Sequence, residues 1–226
     1  AGHEESGSQP SSEGNGDEGL EHLLDAACRT ISRRGFSATR VADIAAEAGV
    51  SPATVHYHFK TRHEILVDAL LWANARLVKE LERANRNGDP PLVRIARFLE
   101  RTVPHPGARE DEYRLEIDIW GQARHHPELL GPYEGFAARW TNELAEMIED
   151  GVAAGELAPT VETPELVERL VALTDGLAAR AVTGSAAMPP DRVHVLLFRF
   201  AAEQLGIEPE ELERHAELPP LRSYGE

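Results

Sequence analysis

The spacing of apolar residues constrains the fold of this chain more than any other feature of its sequence. From Leu20 onward, apolar side chains recur three and four residues apart, which is the period of one face of an α-helix. The first such stripe comprises Leu20, Leu23, Leu24, Ala27 and Ile31. No convincing segment alternates apolar and polar residues, as a half-buried strand would. The sequence therefore predicts an all-α fold.

Glycines, prolines and short polar runs divide this pattern into separate helices. Gly35 is expected to end the first helix, and Thr39 is a good N-cap for a second helix that Gly49 closes. A long helix is predicted over about residues 62–86, where a polar run stops the pattern. Further helices are predicted near residues 92–103, 110–125, 132–154, 164–183 and 190–206.

The segment SPATVHYHF, residues 51–59, predicts a short helix whose polar side chains point away from the core. Ser51 is expected to cap this helix, and proline fits its first turn, where a missing N–H is harmless. Val55 and Phe59 are four residues apart and are expected to face inward. The residues left to face outward are Pro52, Ala53, Thr54, His56, Tyr57 and His58. Two short helices joined by the turn AGVS form a helix-turn-helix, whose second helix meets DNA in such motifs.

The distribution of charge agrees with a nucleic-acid surface confined to this region. The chain has a formal net charge of -16, yet residues 20–62 hold six basic and four acidic side chains. A small positive face on an acidic body is typical of proteins that bind nucleic acid locally. Cys28 is the only cysteine, which excludes an internal disulfide and a cysteine-based zinc site and favours the reducing cytoplasm.

The last two long helices predict a second copy of the chain as a partner. The segments near 164–183 and 190–206 are apolar around most of their circumference, and such a helix must bury more than one face. Gly176 and Ala179 would allow two backbones to approach closely. We therefore expect a twofold homodimer through a four-helix interface. The alternative is a central core helix in a monomer.

The segment RVADIAAEAGVSPATVHYHFKTRHEIL, residues 40–66, resembles the signature of the TetR family of bacterial transcriptional regulators. Beyond residue 70 the similarity is limited to the order of helices and to the segment TDGLAAR. One departure is His56, where the family usually has tyrosine. The resemblance implies a homodimeric repressor that binds a palindromic operator and is released by a small-molecule ligand. In such a protein the long helix after residue 62 would connect the ligand site to the DNA-binding head.

With this resemblance, the sequence predicts four regions in an all-α chain. They are a disordered leader (1–18), a three-helix helix-turn-helix DNA-binding domain (19–62), a helical ligand-binding and dimerisation domain (63–206) and a polar C-terminal tail (207–226).

The outward residues of the third helix suit distinct roles on DNA. Pro52 and Ala53 are small enough to let the backbone enter the major groove and touch a thymine methyl group. Polar residues around them suit phosphate oxygens, and Tyr57 suits either a base or a phosphate. The predicted DNA-binding residues are Arg40, Ser51, Pro52, Ala53, Thr54, His56, Tyr57, His58, Lys60 and Arg62. His58 could instead cap the helix, and Arg62 could be a solvated charge.

A ligand pocket enclosed by the middle helices is implied by the family. Such pockets combine aromatic walls with few polar groups. The candidate lining residues are Trp72, Arg76, Trp120, Arg124, Tyr133, Trp140 and Asp175. Each tryptophan could equally fill the core or an interface.

Other functional classes find less support in the sequence. A metal site at His56 and His58 is disfavoured because residues two apart point to different sides of a helix. No hydrolase triad or metal-ligand spacing is present, so neither an enzyme nor a cofactor is expected. A protein-interaction module that uses the helix-turn-helix for protein contacts remains an alternative, as does a transcriptional activator.

Overall fold

The computed structural model describes residues 13–84 and 88–216 of the chain, and its regular structure in these ranges is helical throughout. The expected all-α fold is confirmed. The first four helices are α1 (Glu13–Arg34), α2 (Val41–Ala48), α3 (Pro52–His58) and α4 (Arg62–Ala84). The other six are α5 (Pro91–Thr102), α6 (Ala108–Ala123), α7 (Leu130–Ala153), α8 (Thr163–Val182), α9 (Pro190–Leu205) and α10 (Pro209–Glu213). Among the helices described here, none has the length and apolarity needed to cross a membrane.

The two ends of the chain differ from the predicted regions in detail. Helix α1 begins at Glu13, inside the segment expected to be a disordered leader, and residues 1–12 lie outside the described part of the chain. The predicted tail contains α10, and residues 217–226 also lie outside the described part.

The start of α2 corrects one sequence expectation. Its N-cap is Arg40 rather than Thr39. The backbone N–H of Arg40 donates to the carboxylate of Asp43 at 2.9 Å, so the acidic residue of the first turn supplies the cap. Thr39 is buried and donates its hydroxyl to the Gly35 carbonyl at 2.9 Å. Its side chain therefore closes the preceding 3-10 turn, Phe36–Ala38, and is not available to α2.

A first hydrophobic core unites the N-terminal helices. It includes Leu23 and Ile31 of α1, Ile44 of α2, Val55 of α3, and four or more residues of α4 such as Leu66 and Leu70. Because α4 contributes so much to this core, the packing unit extends beyond the boundary expected at residue 62. Leu115 and Ile119 of α6 join the same core.

A second core is formed by α5 and α7–α10. Its fully buried members include Leu99, Met147, Leu166, Phe198 and Ala201. Helix α6 lies between the two cores, and it packs against α1 and α4 on one side and against α8 on the other. A displacement of α6 would therefore change its contacts with helices in both halves of the molecule.

Candidate DNA-binding surface and ligand cavity

The turn between α2 and α3 has the geometry of a helix-turn-helix. Gly49 ends α2 with a φ of 67°, a left-handed conformation that glycine adopts without strain. Ser51 is the N-cap of α3, and its hydroxyl accepts the Thr54 N–H at 3.2 Å. Val55 and Phe59 are buried in the first core, as their spacing predicted. The other side of α3 is thereby directed toward solvent.

The exposed side of α3 brings most of the predicted DNA-binding residues together. The side chain of Tyr57 is 85% exposed. Among the described residues, the other large hydrophobic side chain that is exposed is Val152, at 45%. The Tyr57 ring meets the His58 ring edge-on, with centroids 5.2 Å apart. The exposed members of this surface are Ser51, Pro52, Ala53, His56, Tyr57 and Lys60, and the half-buried members are Thr54 and His58. We call these eight residues the reading surface.

The two predicted arginines flank the reading surface in different ways. Arg40 is exposed at the start of α2. Arg62 donates to the carbonyl of Phe36, and its guanidinium lies 4.8 Å from the centre of the Phe36 ring. The Arg62 guanidinium is therefore already engaged within the protein, in holding α4 against the 3-10 turn.

Three of the six lysine and arginine side chains in residues 20–62 form ion pairs with acidic side chains. Arg29 and Arg33 both contact Glu47, at 2.9 and 2.5 Å, and the hydrogen bond from Arg29 lowers the pKa of that carboxyl. Arg34 contacts Asp43 at 2.8 Å. These contacts join α1 to α2, so the positive excess read from the sequence serves partly to assemble the head.

A cavity lies between α5, α6, α7 and α8 of the second half. The space that the centre of a water molecule can occupy in it is about 60 Å³, and all the space between its lining atoms, open solvent included, is about 590 Å³. Its aromatic wall is made of Phe98, Tyr113, Tyr133, Phe136 and Trp140, and its charged wall of Arg109, Glu116 and Asp175. An aromatic enclosure with a few charged groups is the usual chemistry of a small-molecule site.

The charged wall is buried and strongly coupled. The guanidinium of Arg109 contacts Glu112 at 3.0 Å and Glu116 at 3.9 Å, and lies 4.0 Å from the Tyr113 ring centre. Burial raises the pKa of Glu116 to about 7, opposed by the charge of Arg109. Burial also raises the pKa of Asp175, again against the charge of Arg109. The cavity therefore places carboxyl groups where the charged form is costly.

The predicted ligand residues divide into two groups. Tyr133, Trp140 and Asp175 line the cavity. The other four do not line it. The Arg76 guanidinium lies 5.0 Å from the centre of the Trp72 ring and 3.8 Å from Asp25. Trp120 meets Tyr133 edge-on, with ring centres 6.2 Å apart, and Arg124 is exposed just after α6.

The charged residues that α6 contributes are not among those predicted from the sequence. Arg109, Glu112 and Glu116 occur at positions i, i+3 and i+7, so they form one charged stripe on that helix. Such a stripe usually faces water, yet each of these residues is at most 5% exposed. The stripe itself was the available signal, and its burial is evident only from the way neighbouring helices such as α8 pack against α6.

The outer sides of α8 and α9 carry small or apolar residues that this single chain leaves partly uncovered. On α8 these are Ala172, Gly176 and Ala179, and on α9 Leu196 and Phe200. A Cβ added at Gly176 would meet nothing within 4 Å, so the space beside it is open. Among the described residues, no cluster of three or more His, Cys, Asp or Glu side chains could hold a metal ion.

A three-helix head whose third helix is exposed, joined by a long helix to a cavity-bearing helical body, is the architecture of a DNA-binding transcriptional regulator. The TetR family model for bacterial regulatory proteins matches residues 23–69, and the model for the C-terminal domain of BetI-type transcriptional repressors matches residues 91–206. The chain belongs to the TetR family.

Known proteins with similar sequences and structures agree with this assignment. The transcriptional regulator BetI of Brucella canis is 26% identical over 187 residues, which cover 83% of this chain and 91% of that protein. A solved structure from Saccharomonospora viridis, of a protein assigned to transcriptional regulation and in complex with choline, is 32% identical with a TM-score of 0.72. The match covers 83% of this chain and 96% of that one. A TetR-family protein from Rhodococcus sp. is 25% identical, with a TM-score of 0.73 and coverage of 83% and 99%.

Proposed function

We propose that this chain is a homodimeric repressor that binds a palindromic operator and is released from it by a small organic cation. The observation that carries the proposal is the reading surface on α3, where Tyr57 is 85% exposed beside exposed polar neighbours. A large aromatic side chain is seldom left in water without a partner, and a DNA groove provides one for it. Such a regulator acts on the chromosome, so we place it in the cytoplasm.

Contact with DNA divides among the residues of the reading surface. Tyr57 and the small residues Pro52 and Ala53 would meet base edges, while Thr54, His56, His58 and Lys60 would hold phosphates and fix the register. Ser51 supports this surface from the N-cap, and Arg40 reaches the DNA backbone beside it. Arg62 contributes indirectly, because it anchors α4 to the turn before α2.

Dimerisation follows from the need for a second half-site. One short helix offers few base contacts, so a single head would bind weakly. Two heads on adjacent major grooves lie roughly 34–36 Å apart along one face of the duplex. The uncovered sides of α8 and α9 support a four-helix interface, with Gly176 where the backbones approach.

The chemistry of the cavity supports a cationic ligand. Aromatic faces attract ammonium groups, and the attraction is strongest where water is excluded. Tyr133, Phe136 and Trp140 supply such faces, while Glu116 and Asp175 supply negative charge. The similar protein from Saccharomonospora viridis was solved with choline, a quaternary ammonium compound. We therefore take choline as the first compound to test.

The experiment is an operator titration with and without choline. Purified protein is mixed with labelled DNA from upstream of its own gene, and binding is followed by fluorescence anisotropy at several salt concentrations. We expect saturable binding that weakens steeply with salt, since phosphate contacts release counterions. Choline should weaken operator binding about 5–150-fold, the usual range of allosteric coupling.

Other outcomes separate the alternatives. Absence of salt-sensitive DNA binding would favour the protein-interaction reading of the helix-turn-helix. Operator binding that increases transcription from the same promoter in a reconstituted assay would identify an activator. If choline at any concentration left DNA binding unchanged, the proposal that choline is the ligand would be wrong.

A further inference from the structure

The wall of the ligand cavity carries more acidic than basic groups. Arg109 is the buried cation of its wall, and Glu112, Glu116 and Asp175 lie around it. Glu112 is the closest partner of Arg109 at 3.0 Å, while Glu116 stands at 3.9 Å. Glu116 and Asp175 both line the cavity, where one guanidinium that is already shared compensates them incompletely.

The groups that act on Glu116 come from three helices. On α6 itself, Arg109 favours its ionised form and Glu112 opposes it. Asp175 of α8 also opposes ionisation. From α7, Tyr133 interacts with Glu116 but stays neutral near pH 7, because burial raises the pKa of its phenol further above the ordinary value.

The groups found to act on the pKa of Glu116 do not include any from α1 or α4, the other two long helices that pack on α6. Helices α1 and α4 cover its opposite side, through the apolar Leu115 and Ile119. There Asp25 of α1 contacts Arg29 of the same helix and lies 3.8 Å from Arg76 of α4. The acids that act on Glu116 are therefore Glu112 of its own helix and Asp175 across the cavity.

We infer that a proton and a cationic ligand compete for the Glu116 and Asp175 side of this cavity, so that ligand binding releases a proton and the operator response depends on pH. This inference rests on the proposed ligand class. It adds that the affinity of the protein for its operator depends on both the cation concentration and the pH.

The direction of the effect follows from the state of Glu116. Burial raises its pKa to about 7, so near neutral pH the carboxyl is divided between its neutral and ionised forms. An ammonium group within reach favours the ionised carboxylate and drives the proton into solvent. Affinity for the cation then rises with pH up to this pKa and levels off above it. Between pH 8 and pH 6 we expect the choline association constant to fall roughly tenfold.

Calorimetric titration of the whole protein with choline tests this directly. At pH 6.5 the titration is run in phosphate and in ACES, two buffers that work at this pH and take up a proton with very different enthalpies. The apparent binding enthalpies should differ by an amount that corresponds to roughly 0.7 proton released per site. Glu116→Gln should abolish the difference, whereas Glu110→Gln should keep it. Glu110 is a matched control because it lies on the same helix, paired with Arg114 and away from this cavity.

Two results would overturn the inference, and they are distinguishable. Choline binding with equal enthalpies in both buffers, and with an unchanged constant between pH 6 and pH 8, would refute proton release while keeping the ligand class. No choline binding at pH 8 would refute the ligand class and this inference with it. The wild-type titrations decide both points even if Glu116→Gln proves unstable, and circular dichroism shows whether that variant folds.

Discussion

Asp118 and Phe36, 82 residues apart in the sequence, are joined by a hydrogen bond in which the Phe36 backbone N–H donates to the Asp118 carboxylate at 2.8 Å. Asp118 lies on α6 only two residues beyond Glu116, which lines the cavity. Phe36 begins the 3-10 turn that precedes α2. One short stretch of α6 thus touches both the cavity and the DNA-binding head.

Substituting Asp118 should weaken the coupling between these two sites. Asp118→Ala removes the acceptor and leaves the Phe36 N–H half-buried without it, which we expect to cost about 1–2 kcal/mol of folding free energy. Choline should still bind the cavity, but its effect on operator affinity should fall several-fold. Calorimetry reports the first quantity and operator anisotropy the second.

Asp118→Asn is the matched control for this prediction. Its side-chain carbonyl can still accept the Phe36 N–H, so the coupling should stay close to that of the wild type. An Asp118→Ala protein that releases the operator as readily as the wild type would show that the signal does not pass through this contact.

The reading surface predicts a clear pattern of DNA-binding losses. Tyr57→Ala should weaken operator binding by about 1–3 kcal/mol, because it removes a side chain that can meet base edges. Its exposure of 85% means that folding and dimerisation should be unaffected. Anisotropy titrations combined with size-exclusion chromatography measure both properties. Unchanged operator affinity would remove Tyr57 from the DNA interface.

Substitutions of two separate lysines distinguish the loss of a phosphate contact from the loss of net positive charge. Lys60→Ala should weaken binding to all DNA sequences alike and make the slope of log affinity against log salt shallower by about 1 for each lost contact. Lys79→Ala removes the same charge from an exposed position near the other end of α4 and should change neither quantity. Equal losses in the two variants would point to a net-charge effect rather than a phosphate contact.

Local sequence rules were sufficient for the head of the molecule. The spacing of Val55 and Phe59 predicted which side of α3 is buried, and Ser51 and Pro52 predicted its first turn. These features depend on residues within one helical turn of each other, which a single sequence contains in full. The N-cap of α2 was missed because Thr39 is a good cap by type, yet the 3-10 turn before it determines where its hydroxyl points.

The cavity could be predicted only in part, since it depends on which faces of four helices meet. Tyr133 and Trp140 were chosen as aromatic residues, and both line it. Trp72 and Trp120 are equally aromatic but pack against the N-terminal core. Residue type does not separate these two pairs. Arg109 and Glu116 were missed for the opposite reason, because charged residues on a helix are normally solvated.

The open space beside Gly176 gives a test of the dimer. Gly176→Arg should leave the fold of each chain intact, because nothing lies within 4 Å of the new Cβ. If α8 packs against a second copy there, a bulky cation should prevent the close approach and convert the dimer to a monomer. Operator affinity should then fall by at least tenfold, since one half-site is lost. Sedimentation velocity measures the mass of the species.

Gly131→Arg provides the comparison for Gly176→Arg. Gly131 is an equally open helical glycine, but it lies on α7, away from the predicted interface. Its variant should remain dimeric. If the Gly176→Arg protein is also dimeric, the interface does not involve this part of α8.

A half-buried carboxylate with two histidine partners predicts a pH-dependent contribution to stability. Glu100 on α5 contacts His194 of α9 at 2.6 Å and His105, in the loop after α5, at 2.7 Å. The hydrogen bond to Glu100 raises the pKa of His194. Burial alone would raise the pKa of Glu100, but hydrogen bonds from His105 and His194 outweigh it and hold that pKa below its ordinary value.

The sign of the pH effect differs at the two ends of the range. Because the His194 pKa is raised on folding, its contribution is fully present below the unfolded value of about 6.5 and is lost as pH rises through the folded value. Glu100 has a lowered pKa, so its contribution fails only at acidic pH. His194→Gln should therefore cost about 1 kcal/mol at pH 6 and much less at pH 9. His105→Gln should cost less at both, because His105 is 46% exposed. Urea unfolding at the two pH values measures these differences in the free energy of unfolding. If His194→Gln lost equal stability at pH 6 and pH 9, a neutral hydrogen bond rather than an ion pair would join α9 to α5.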